Sequence, residues 1–402
     1  MTDRDYVRPT PDEIAFGVVG DTAGFSVTGL HPTGARAALE LEIARCFGDR
    51  PVYVSFSGGR DSSAVLAVAT SVARQRGLPD PIPVIRRYPG DPDSDETSWQ
   101  NLVLEHLGIR HPIVIDVVER ATYLDDAVTA NLRRRGLLWP PALQLDDPML
   151  PLVAHGTLLT GEGGDEVLGP RRITPLTLLL RLGRRPRPAL LRWALLSVFP
   201  RGRGRLNREL RQGMGWLTDA GRRELVERLR AADHRPWHWG RETIELLGRR
   251  VPDVLARNYQ RAADDHGVRI AHPLLAPRFV RALAAEGGRW GFAGRTAVMR
   301  HLFSDLLPDE LLARSTKAHF GAVRWGDAER RFARDWDGGG LPQWIDPERI
   351  RAEWLSEHPA GASVLALHAA WLHAEGLPVE GASEVSGAPG AQAAASPRNG
   401  HN

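Results

Sequence analysis

Residues 52–63 read VYVSFSGGRDSS: a short run of strand-forming residues, a glycine pair, then the start of a helical pattern. No other stretch limits the possible folds so strongly. A helix that starts at a glycine-bearing turn directly after a strand keeps its first amides approachable, because no Cβ shields them. The same helix turns its positive end toward that point. Ser57, Ser62 and Ser63 add hydroxyl donors around Gly58 and Gly59. Asp61 supplies the kind of hard oxygen that holds Mg²⁺ against phosphates. A loop of this composition suits a pyrophosphate group.

The string lacks the longer glycine spacing and the Lys-Ser/Thr pair of the Walker loop. It also differs from the dinucleotide GxGxxG pattern. It resembles the pyrophosphate loop of the ATP pyrophosphatases, which split ATP between its α and β phosphates. Strand and helix signals alternate around it. A helix over 35–47 leads to strand Pro51–Phe56, and a helix to about Gln75 precedes strand Ile82–Arg87. A helix near Ser94–Leu107, strand Ile113–Val117, a helix around Tyr123–Arg135 and strand Leu158–Thr160 follow. Strands separated by helices imply βαβ units and a parallel sheet, with ligands beyond the carboxyl ends of the strands.

Residues 158–170, LLTGEGGDEVLGP, repeat the logic of the first loop: a short strand, glycines, and the acids Glu162, Asp165 and Glu166. If the two strands are neighbours, Asp165 can share a Mg²⁺ with Asp61. Basic residue usage adds a further pointer. Of 52 basic residues only Lys317 is a lysine. Lysine is a compact point charge on a slim stem, and an arginine fork does not replace it.

The chain divides into an N-terminal extension (1–35, with a small β element around Ile14–Val27), a unit over 36–375 and a disordered tail over 376–402. Within the unit, an α/β core spans about 36–170 and helical periodicity governs about 171–375. The single Cys46 excludes a disulfide framework and a multi-cysteine zinc site. No apolar run is long enough to span a bilayer or to read as a signal peptide, so a cytoplasmic protein without a membrane partner is expected. Residues 181–211 hold ten arginines and one acid, Glu209. Two readings stand there: a basic face for an acidic partner, or a solvated helical hairpin.

Taken together, SGGRDSS, DPDSDETSW and GEGGDEVLG resemble the synthetase domain of the asparagine synthetase family, whose relatives include β-lactam synthetase and the lasso-peptide cyclases. The similarity continues through His272-Pro273-Leu274-Leu275-Ala276-Pro277-Arg278-Phe279 and Arg314-Ser315-Thr316-Lys317-Ala318-His319-Phe320. It implies a pyrophosphate-loop (adenine-nucleotide α-hydrolase-like) α/β core with a large helical C-terminal part, using ATP and Mg²⁺. It further implies that a carboxylate is adenylated with loss of pyrophosphate and that an amine then captures the acyl-adenylate. The family's essential lysine falls on Lys317. Phe56, Val84, Thr160 and Gly161 match adenosine-contacting positions. Glu162 matches a position that is Glu in asparagine synthetases and Tyr in β-lactam synthetase; it either handles the incoming amine or is a loop residue held by backbone donors. Asp95 and Glu96 match a recurring acidic pair and are read here as helix N-terminal charges.

Two departures shape the expectation. Complete asparagine synthetases begin with a glutaminase domain whose nucleophile is Cys at position 2, where this chain has Thr2. Ala276 stands where many relatives carry Asp. Both favour a specialised amide-forming enzyme, and the texture of the helical half leans toward lasso-type macrolactam formation on a precursor peptide with a leader-binding protein. Ammonia-dependent asparagine synthesis is the alternative, and nucleic acid is a poor fit because the paired cysteines of thiolating enzymes are missing.

Overall fold

The computed structural model describes residues 6–17, 34–87, 95–116, 122–145, 149–182, 188–198, 214–231, 236–315 and 324–379. Five strands form one sheet: β1 (Val52–Ser55), β2 (Ile82–Arg87), β3 (Ile113–Asp116), β4 (Thr157–Leu159) and β5 (Arg269–Ala271). Their order is β3-β2-β1-β4-β5, and every pairing is parallel. The sheet therefore winds one way from β1 through β2 and the other way through β4. Such a reversal opens a crevice at the carboxyl ends of the two strands that flank it. Here those strands are β1 and β4, with Tyr53 opposite Leu158 and Val54 opposite Leu159.

The β1-to-helix junction explains the rest of this layer. Helix α3 (Arg60–Gln75) buries every residue from Ser62 to Ala73 except Ser71, a run of small or branched side chains whose buried hydroxyls on Ser62, Ser63 and Thr70 bond backbone carbonyls. It is enclosed between the sheet, α2 (Ala35–Ala44) and the helices that close over that face. Val54, Phe56 and Leu159 face this core, and Val84, Leu158 and Val268 face a smaller one on the other side. A separate tryptophan-rich core joins α1 (Pro11–Phe16), α5 (Asp126–Arg135) and the helix Val364–Ala374, with Trp216, Trp336, Trp354 and Trp371 inside.

The expected α/β layer is present, and two details differ from the sequence reading. The stretch from Ile14 does not begin a β element. Thr10 and Glu13 form a capping box with Pro11 in the first turn, and that local chemistry makes Pro11–Phe16 a helix; residues 18–33 lie outside the described part. The fifth strand comes from the stretch read as helical. At three residues, Arg269-Ile270-Ala271, it is too short for a period-2 signal and is defined by pairing with β4. In the arginine-rich stretch, the helices Thr174–Leu182 and Pro188–Val198 pack together as a hairpin and leave Leu180, Leu191, Trp193 and Leu195 exposed; residues 183–187 and 199–213 lie outside the described part.

Candidate active site

Both glycine-rich loops leave the carboxyl ends of the two strands at the reversal. After β1, the Phe56 amide continues the ladder by donating to the Val84 carbonyl at 2.9 Å. Gly58 then takes φ +86°, a left-handed conformation open to glycine. The Gly59 amide donates to Ser57 Oγ at 3.2 Å, and α3 starts with no side-chain cap on its first amides. That leaves the helix N-terminus available to an anion. The serines divide their work. Ser62 and Ser63 donate their hydroxyls to the Gly59 carbonyl at 3.2 and 2.8 Å. Ser63 is fully buried, so it shapes the turn from inside.

The second loop packs directly onto the first. A Cβ on Gly161 would come within 2.7 Å of the Ser62 amide nitrogen, and one on Gly164 within 2.2 Å of Asp61 Cγ. The glycines of GEGGDE thus serve a close approach between loops as well as an anion. Thr160 and Gly161 sit at this seam. The Thr160 amide donates to Ala271 O at 3.0 Å, and its hydroxyl shares a 2.7 Å hydrogen bond with His272 Nδ1. Burial pushes the His272 imidazole down to about pKa 4, so it is neutral at ordinary pH. Phe56 and Val84 are buried in the cores on opposite faces of the sheet. Glu162 is exposed at the loop tip, where its amide donates to Thr160 Oγ1 at 3.2 Å.

Asp61 and Asp165, placed by neighbouring strands, come together around one cation. Arg295, the first residue of the helix Arg295–Phe303, donates Nη2–H groups to both Asp61 oxygens at 2.6 and 2.5 Å. Its Nη1 donates to Asp165. Burial raises the Asp61 carboxyl above its usual range, and the guanidinium beside it opposes that shift. Arg295 was missed in the sequence because nothing in the GRTAVMR segment separates it from the other arginines.

A second unexpected pair supports the first loop. Arg314 makes a bidentate bridge to Glu96 with both contacts at 2.5 Å, and these side chains are only 6% and 9% exposed. The same guanidinium reaches the Gly58 carbonyl at 3.3 Å and lies over Trp99 at 4.7 Å. Gln100 adds a 3.2 Å bond to the Ser57 carbonyl. Glu96 is therefore an ion-pair partner and not a charge for the helix end. Asp95 fills that role, accepting the Thr97 amide at 2.9 Å. Lys317 lies outside the described residues, three positions beyond Arg314.

A parallel sheet with two interlocked glycine-acid loops at its winding reversal defines an α/β protein of the pyrophosphate-loop type. The family described as asparagine synthase matches residues 34–374, and the chain belongs to that family. Its general chemistry is ATP-dependent amide ligation. No curated protein matches the chain. Among the described residues, no helix is long and apolar enough to cross a membrane.

Proposed function

We propose that this protein forms an amide bond through an acyl-adenylate, releasing AMP and pyrophosphate, and that its acyl substrate is a peptide side-chain carboxylate, as in lasso-type macrolactam cyclisation. The observation that carries the nucleotide half of this reading is the meeting of Asp61 and Asp165 around a single cation at the β1–β4 crevice. Arg295 stands in there for positive charge of any kind. Two carboxylates with no larger cluster of His, Cys, Asp or Glu among the described residues suit Mg²⁺, which takes its other ligands from water and phosphate. When bound between Asp61 and Asp165, the ion would neutralise charge on the departing pyrophosphate.

The chain's own groups have definable tasks. The uncapped first turn of α3 holds the pyrophosphate oxygens through its amides. Lys317 stabilises charge that builds on phosphorus and later on the tetrahedral carbon. Glu162, exposed at the loop tip, orients or deprotonates the incoming amine. The peptide preference rests on the arginine-rich, tryptophan-bearing helical half, whose texture resembles the lasso-cyclase branch, while Ala276, at a position where many relatives of the resembled family carry Asp, speaks against free aspartate.

Pyrophosphate release measured against a panel of carboxylates tests the reading. Turnover with peptides that bear an internal Asp or Glu and a free N-terminus is expected, with AMP and a product lighter by one water. Turnover with aspartate and ammonia alone would transfer the protein to small-molecule amidation. No AMP with either class would remove the ligase reading.

A further inference from the structure

We propose that Arg295 is a phosphate-binding residue that, before nucleotide arrives, holds the space between Asp61 and Asp165 and so makes this acid pair selective for a metal carried on a triphosphate over the bare ion. The inference rests on the nucleotide reading above and adds to it a determinant of what the site accepts.

The geometry is that of a filled site. One planar fork serves both acids, taking the two Asp61 oxygens with one nitrogen and Asp165 with the other. Charge-assisted bonds of this kind are the stronger hydrogen bonds in proteins. The Arg295 and Asp61 side chains are each only 18% exposed. An acid so shielded is poorly solvated, and removing its partner would leave it beside a second acid of like charge. Arg60 places a second guanidinium within electrostatic reach of Arg295, Asp61 and Asp165, with Arg314, itself paired to Glu96, further out. Within this group of four, two negative charges and two positive charges cancel.

That balance sets the selectivity. A bare divalent ion entering between the acids must break the fork and then share a small, partly dry space with the displaced Arg295 guanidinium and the neighbouring Arg60. Nothing in the group of four offsets the excess positive charge. A metal–triphosphate brings its own excess of negative charge. The fork then exchanges carboxylate oxygens for phosphate oxygens, which it fits equally well. The long arginine stem allows the exchange while the helix Arg295–Phe303 stays in place. Metal and nucleotide therefore bind as a unit, and neither Asp61 nor Asp165 is a free cation trap in the resting protein.

Mn²⁺ is the probe, and its electron paramagnetic resonance spectrum with the full-length chain is the readout. Wild type is expected to bind Mn²⁺ weakly by itself and at least tenfold more tightly with a non-hydrolysable ATP analogue. Arg295→Ala is expected to bind bare Mn²⁺ at least tenfold more tightly than wild type, while its affinity for the analogue falls. Arg295→Lys, which keeps the charge without the fork, should lie between them and serves as the second variant if the alanine form folds poorly. Adding Asp165→Asn to Arg295→Ala should erase the gain, which places the ion at this pair. Unchanged bare-Mn²⁺ affinity in Arg295→Ala, in a protein that still binds the Mn²⁺–analogue complex as wild type, overturns the proposal alone. Failure of wild type to bind the analogue at all overturns it together with the nucleotide reading.

Discussion

An acid shielded from water needs a cation close by, and Asp61 has one in Arg295 because the second loop brings a rival acid to the same spot. Lys317 presents the complementary case: one lysine kept in a chain that otherwise uses arginine for every basic side chain. A broad, delocalised fork does not reproduce a compact ammonium aimed at a developing oxyanion. Lys317→Arg should therefore slow pyrophosphate release by about a hundredfold or more while leaving the melting temperature unchanged; a rate near wild type would strip the lysine of its assigned task. At this scale, Asp61 and Asp165 were legible because glycines mark them in the sequence. Arg295 and Arg314 were not. Each meets its partners from more than 100 positions away, Arg295 at 234 and 130 and Arg314 at 218, and no local pattern encodes contacts of that range.

Two loops that touch without side chains between them tolerate little added volume. Gly164→Ala places a methyl group 2.2 Å from Asp61 Cγ, a distance that forces the Asp61 carboxylate or the loop that carries it out of place. The expected result is loss of nucleotide binding, seen by calorimetry, with the circular dichroism spectrum retained. Unaltered binding would mean the loops move apart freely. The Glu96–Arg314 bridge acts one layer further out, tying the start of α4 (Thr97–Leu107) to the Gly58 carbonyl. Glu96→Ala removes the carboxylate partner of a buried guanidinium and should cost about 3 kcal/mol of stability in urea unfolding. Asp95→Ala removes only an exposed end-capping contact and should cost far less. Equal losses from the two would deny the bridge its role. Strands β1 to β3 and their helices were legible from their sequence patterns, and β4, itself only three residues long, was legible because the GEGGDE loop marks its end. β5 was not, since a three-residue strand is specified by its neighbour and not by itself.

Stability of the whole molecule depends on both the sheet core and the tryptophan-rich core, and two neutral histidines bear on it: His368, fully buried, and His272, half-buried beside Thr160. His368 donates through Nε2 to the Tyr123 carbonyl at 2.9 Å, and burial lowers its pKa from 6.5 to about 4; His272 shifts likewise. The unfolded chain takes up protons on these side chains below pH 6.5, whereas the folded one does so only near pH 4. Their stabilisation is thus complete above 6.5 and declines as pH falls toward 4, by about 2 kcal/mol for each histidine at pH 5. His368→Gln, which keeps a donor for Tyr123, should flatten the loss of urea resistance between pH 7 and pH 5; an equally steep loss would assign the effect to other groups. The general fold was legible at this scale, but the contacts that tie the first helix to distant later segments were not. Trp216 bonds the Ala15 carbonyl at 3.1 Å and Trp344 bonds Asp12 at 2.6 Å, joining segments some 200 to 330 positions apart.

Because β1 and β4 lie side by side, the two loops that lead to Asp61 and Asp165 leave the sheet one interstrand pitch apart, about 4.8 Å. That pitch is a property of the peptide backbone and does not depend on which side chains surround it. Drift in the helical half can reshape what is carried to the nucleotide without altering the ruler that measures it, so descendants of this architecture are free to change their cargo while keeping one way of spending ATP.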